Sequence, residues 1–134
     1  NLTVAPADQK GDVFILAPND GTARAIADVF AADSDVTDYV ITGQDAEKAS
    51  VQYIIDGKQS MTVLKDVRNL VQDAISAAVA LLQGNEPEAE GSYDNGAKDV
   101  PAIPSEVVTV DADNVQETLI DSGYYSADEF ENLP

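Results

Sequence analysis

Val13-Phe14-Ile15-Leu16-Ala17-Pro18-Asn19-Asp20-Gly21-Thr22-Ala23 carries a strand, a tight turn and the start of a helix in one stretch. The unbroken apolar run Val13–Ala17 suits a strand buried on both faces, as in a parallel sheet. Pro18 to Gly21 break it, and Ala23, Ile26, Ala27, Phe30 and Ala31 then recur at helical spacing, with Asn19 or Asp20 available as the cap. The same order returns twice. Tyr39-Val40-Ile41-Thr42 leads through Gly43-Gln44-Asp45 into a helix carrying Ala49, Val51, Ile54 and Ile55 that stops at Gly57. Met61-Thr62-Val63-Leu64 leads through Lys65-Asp66 into a longer helix, Asp66 to about Gln83. Its Leu70, Ala74, Ile75 and Ala78 stripe is expected to lie on the sheet, and Gly84 ends it. Three successive βα units predict an α/β fold with parallel neighbouring strands and right-handed crossovers.

Composition narrows the chemistry. The chain of 134 residues has no Cys and no His, which removes thiol nucleophiles, imidazole bases, the usual zinc sites and disulfide frameworks. With 25 acidic against 7 basic residues the net charge is −18, a field that repels phosphate backbones and anionic lipid surfaces. No nucleic acid partner is therefore expected. The longest apolar run, Ala74 to Leu82, is too short to cross a bilayer, so no direct membrane insertion is expected either. The 44% apolar content is enough for a packed core.

Residues 1–10 carry no assignable pattern and are left as a leader; residues 11–84 hold the three βα units. Residues 85–105, rich in Glu, Gly, Asp and Pro, are expected to form a polar surface loop. In 106–134, Glu106 to Val110 alternates like a strand, Asp111 to Ser122 reads as a helix ended by Gly123, and Ser126-Ala127-Asp128-Glu129 has the form of a capping box.

In an open parallel sheet, ligands collect beyond the carboxyl ends of the strands. Asn19, Asp45 and Lys65 occupy those ends. An amide, a carboxylate and an ammonium together offer the donors and acceptors that a polyhydroxylated ligand needs. The plainer alternative is that Asn19 and Asp45 cap helices while Lys65 neutralises Asp45 or Asp66.

Four segments in order bear on that choice: Ala17 to Ala23, Thr42 to Glu47, Gln59 to Asp66, and Leu119 to Tyr125. Together they resemble the type 1 periplasmic sugar-binding proteins, most closely the xylose-binding and multiple-sugar receptors, over roughly residues 12 to 130. The resemblance implies a three-layer αβα lobe with a mainly parallel sheet, the C-terminal half of a two-lobed receptor whose N-terminal lobe is missing here. It implies that Asn19, Asp45 and Lys65 are sugar ligands, matching the Asn of Asn-Asp-x-Thr-Ala, the Asp of Gly-Gln-Asp-Ala and the Lys that closes the Thr-Val-x-Lys strand. It further implies a monosaccharide ligand, pentose or hexose, bound without covalent chemistry, catalysis or cofactor. The partner would be an ABC permease and the address extracytoplasmic, periplasmic or lipid-anchored.

Two related readings share the fold: the sugar-responsive effector domain of lactose-repressor-type regulators, and a sugar receptor for a membrane sensor kinase. A phosphoacceptor receiver domain is disfavoured, because the acidic pair that would hold magnesium is missing and the Asp-to-Lys spacing spans only one βα unit. Asp111-x-Asp113 lacks the Gly and terminal Glu of a calcium loop and is expected to start a solvated helix. Tyr124 and Tyr125 are expected to pin the terminal segment to the core, along with Phe14 and Phe30 as core residues.

Overall fold

The computed structural model describes residues 4–133. Asn1–Leu64 with Val108–Pro134 form one compact unit and Lys65–Val107 a second. In the larger unit, strand β1 (Asp12–Ile15) runs parallel to β2 (Asp38–Ile41), with Ile15 opposite Ile41. Helix α1 (Asp20–Ala31) joins them and places Ala23, Ala27 and Phe30 on Ala17 and Ile41. Helix α2 (Lys48–Ile55) leads to β3 (Thr62–Lys65), whose hydrogen-bonded neighbour is β6 (Val107–Val110). Ala46, Val51, Leu64, Val110, Val115 and Leu119 form a second core cluster there.

The expectation that β1, β2 and β3 are successive ladder neighbours is corrected at β3. The Ile41 amide donates to the Ser60 hydroxyl (3.0 Å) instead of to a strand carbonyl, and Ser60 N returns a bond to Ile41 O (3.1 Å). A side chain thus takes the place of a ladder bond between β2 and the chain that enters β3. Phe14 is corrected too. It is 65% exposed, because α1 covers only the face of β1 and β2 that carries Val13, Ile15, Tyr39 and Ile41. Phe30 is buried and meets Tyr39 edge to face, with ring centroids 5.2 Å apart.

Residues 1–10 were unassignable by pattern, and the first three lie outside the described residues. Lys10 is nevertheless buried, its ammonium 2.8 Å from Asp33 beyond the end of α1, and that hydrogen bond holds the Asp33 carboxyl below the usual carboxylate range. After β6 the chain turns on Asp111, whose carboxylate accepts from Asp113 N and Asn114 N. The expected helix narrows to a π-helical segment, Gln116–Asp121, that buries Leu119. Ser126 and Glu129 form the expected capping box around one short turn, Ala127–Glu129.

The second unit holds α3 (Val67–Leu82), capped by Asp66 at its start. It ends in a Schellman arrangement, with Gly84 at φ +76°, Gly84 N bonded to Leu81 O and Asn85 N to Ala80 O. Within its own unit α3 has no buried residue, with Leu70 39% and Ile75 57% exposed. Leu70, Ala74 and Ala77 line only an open groove with Pro87, Ala89 and Ile103. Caps and helix-forming residues, rather than burial, shape this helix.

The expected polar loop 85–105 is corrected as well. It contains an antiparallel hairpin, β4 (Gly91–Asp94) with β5 (Asp99–Ala102), closed by Asn95 and Gly96. The Asn95 carbonyl oxygen accepts from Ala97 N and Lys98 N, and Gly96 takes φ +83°. Such local bonds make a hairpin out of residues with little strand propensity of their own.

Burial ranks the side chains energetically. Ile54→Ala or Leu119→Ala, at positions 1% and 0% exposed, should cost about 2–5 kcal/mol. Urea unfolding of both variants measures this, and an unchanged midpoint for either would contradict the ranking.

Candidate functional site

The parallel register places two of the sequence-derived site residues at matching positions, each four residues past the Ile15–Ile41 pair: Asn19 beyond β1 and Asp45 beyond β2. Both are exposed. Asn19 caps α1, its side-chain oxygen accepting from Thr22 N at 2.9 Å, so the capping role is real and occupies that oxygen. Lys65 is half-buried as the last residue of β3 and begins the second unit.

The turn that carries Asp45 is unusual. Asp45 (φ +101°) and Ala46 (φ +49°) are consecutive non-glycine residues in the left-handed region. Such a conformation costs of order 1–3 kcal/mol per residue and persists only where the surroundings enforce it. Here they do. Gln44 O accepts from Asp20 N (2.9 Å), Asp45 N donates to Val63 O (2.9 Å), and Ala46 N donates to the Thr62 hydroxyl (3.1 Å). Ala46 O accepts from the Tyr125 hydroxyl (2.9 Å), and Glu47 N donates to Asp20 Oδ2 (2.8 Å). Tyr125 pins the turn as expected of a terminal aromatic, wedged edge to face between Tyr124 and Phe130.

Asp20 is the centre of this scaffold. It is fully buried, and its Oδ1 accepts from Thr62 Oγ1 (2.8 Å) and Gln59 Nε2 (3.0 Å) while its Oδ2 takes Glu47 N. Its own carbonyl accepts from Ser50 Oγ (3.3 Å), which in turn takes a bond from Arg24 (2.8 Å). Arg24 also pairs with Glu47 at 2.7 Å. Burial pushes the Asp20 carboxyl above the usual carboxylate range, against the opposing pull of its three hydrogen bonds. The native state therefore binds this proton more tightly than the unfolded chain does. The stability Asp20 contributes falls as pH rises from the ordinary range through the raised value.

Sequence reading missed Asp20, Thr62 and Gln59 as a group. A signal was present: Asp20 falls at helical spacing with Ala23, Ala27 and Phe30, so an acid sits on the buried stripe of α1. Gly43 has a reason beyond turn propensity, since a Cβ there would collide with Asp20 Oδ1 and Gln59 Nε2. Among the described residues no cluster of three or more acidic side chains could hold a metal ion, and no helix is long and apolar enough to cross a membrane.

A periplasmic binding protein domain model matches residues 4–86, and the chain belongs to that family. The match begins earlier than the resemblance at residue 12 suggests. The structure superposes with a TM-score of 0.92 on a carbohydrate transporter solute-binding protein from Chloroflexus aurantiacus, solved in complex with D-glucose. The two are 76% identical, over 99% of this chain and 39% of that one. The multiple sugar-binding periplasmic receptor ChvE of Rhizobium radiobacter is 41% identical over 67% of this chain and 26% of its own length. The D-xylose-binding periplasmic protein of Escherichia coli is 35% identical over 86% of this chain and 35% of its own. The chain thus spans between about a quarter and two fifths of the length of these relatives.

Gly43→Ala should destabilise the larger unit by about 1–3 kcal/mol, because the added methyl displaces the buried Asp20–Gln59 pair. Urea unfolding checks it, and an unchanged midpoint would mean that the turn relaxes freely around residue 43.

Proposed function

We propose that this chain supplies the ligand-contacting strand ends of the solute-binding component of an ABC sugar importer, recognising a monosaccharide, pentose or hexose, by hydrogen bonding alone. The observation that carries the reading is the Asp45–Ala46 turn. Two residues are held in a costly backbone conformation by five hydrogen bonds, and the result is an exposed carboxylate at the same distance past its strand as Asn19. Strain maintained in this way supports a binding role, because folding alone would be better served by glycine. The similarity to sugar-binding transport proteins, one of them solved with D-glucose, gives the ligand class.

In this reading the Asn19 amide nitrogen donates while its oxygen caps α1, Asp45 accepts from two hydroxyls, and Lys65 donates to a hydroxyl or ring oxygen. The protein performs no catalysis and needs no cofactor. It works outside the cytoplasm, periplasmic or lipid-anchored, and delivers sugar to a permease. A second lobe completes the cleft by closing over the sugar.

Two measurements test this. In the complete gene product, Lys65→Met should weaken glucose or xylose binding at least tenfold by calorimetry, since it keeps the stem and removes the donors; equal affinity would leave Lys65 a charge-balancing role only. Asp45→Gly, which adopts φ +101° without strain, should lower sugar affinity at least tenfold while the protein still unfolds cooperatively. A variant that loses stability and keeps its affinity would reverse the assignment.

A further inference from the structure

We propose that Asp20, as an ionised carboxylate, is the positioning residue for Asp45: it sets the backbone of the turn Gln44–Glu47 and so ties ligand affinity to its own protonation. The inference rests on the sugar-binding reading for its ligand, and on the geometry of the larger unit for everything else.

The two side chains facing the Asp20 carboxyl are donors whose direction is determined by a second bond. Thr62 Oγ1 already accepts from Ala46 N, which leaves its single hydrogen for Asp20 Oδ1. Gln59 Nε2 also donates to Met61 O (3.0 Å), so its amide nitrogen, not its oxygen, is turned to Asp20. The third donor is the backbone N–H of Glu47. An acceptor with two oxygens and no hydrogen satisfies all three. An amide in place of the carboxyl, keeping its oxygen toward Thr62 and Gln59, sets a hydrogen against the hydrogen of Glu47 N. A proton on Oδ2 takes the one lone pair left there and weakens the bond from Glu47 N, two residues from Asp45 in the turn.

The charged groups around Asp20 come from each element packed on it. Arg24 is on α1, and Glu47, just before α2, is engaged by Arg24; Tyr125 reaches in from the C-terminal segment. Thr62 of β3 and Gln59 face it as neutral donors. Arg24 pairs with Glu47, whose charge still pushes the Asp20 carboxyl up, so the carboxylate is held by neutral hydrogen bonds and not by a direct counter-ion. Burial opposes its charge. The three donors each hold the anion more strongly than the acid, which a neutral side chain in its place would not reproduce.

Calorimetry with glucose and xylose on the complete gene product, across pH, is the test, together with amide hydrogen exchange at Ala46 and Glu47 without sugar. The wild type should lose affinity as pH falls through the titration of Asp20. Asp20→Asn should bind at least tenfold more weakly at neutral pH, with that acid limb absent, and should exchange the Glu47 amide faster. Thr62→Val, a milder change that removes one donor to the anion, should move the acid limb to higher pH. Asp45→Asn should keep the limb. The proposal is overturned if Asp20→Asn retains wild-type affinity and pH profile, if Glu47 exchange is unchanged, or if the limb disappears in Asp45→Asn instead. A wild type that binds neither sugar fails the ligand reading, and the exchange data alone then decide the role of Asp20.

Discussion

A carboxylate with no access to water receives three hydrogen bonds at Asp20, and the larger unit is arranged around that requirement. One core cluster lies on the α1 side and the other on the α2 and β3 side. Asp20 belongs to the first helix, Glu47 precedes the second, and Thr62 opens the third strand, so one side chain joins the turns after β1 and β2 to the start of β3. Hydrophobic burial holds each cluster together without specifying how their turns align. The polar centre supplies that alignment, since each donor must meet an acceptor of fixed position or be left unpaired at a cost of about 1–3 kcal/mol.

The exposed residues of the site sit on this buried frame. Asn19 has a local purpose as a cap and still presents an amide nitrogen beyond β1. Asp45 takes a backbone conformation that opposes folding. The scaffold around it, from Val63 O to the Tyr125 hydroxyl, holds that conformation in place. The terminal Ser126–Glu129 capping box keeps that aromatic end in order.

The three βα units were legible because strand runs, turn residues and helical spacing coincide, and the cap was narrowed to Asn19 or Asp20, of which Asn19 takes the role. Phe14 was misplaced for a general reason. Apolar spacing says which residues share a face, and it cannot say whether anything in the chain covers that face. The β4–β5 hairpin was hidden by strands rich in Gly, Ser, Asp and Pro, although Asn95-Gly96 is a strong turn signal in its own right. Asp20 was overlooked because it stands beside Asn19, the better cap. Its position on the apolar stripe of α1 was the clue, and only the partners from distant segments, Gln59 and Thr62, give that clue its meaning.

The crowding around the Asp45 turn limits how such a site can diverge in descent. Gly43 cannot gain a side chain without displacing the buried pair, Ala46 is enclosed and left-handed, and Asp20 depends on the hydrogens of Gln59 and Thr62. Single substitutions at any of these positions damage the turn before they can alter recognition. The exposed side chains at 19 and 45 are more open to exchange, within the limits that the first caps α1 and the second stands on a left-handed backbone. New preferences among ligands would then arise by exchanging tips on an inherited frame, and the frame itself would drift only through paired replacements.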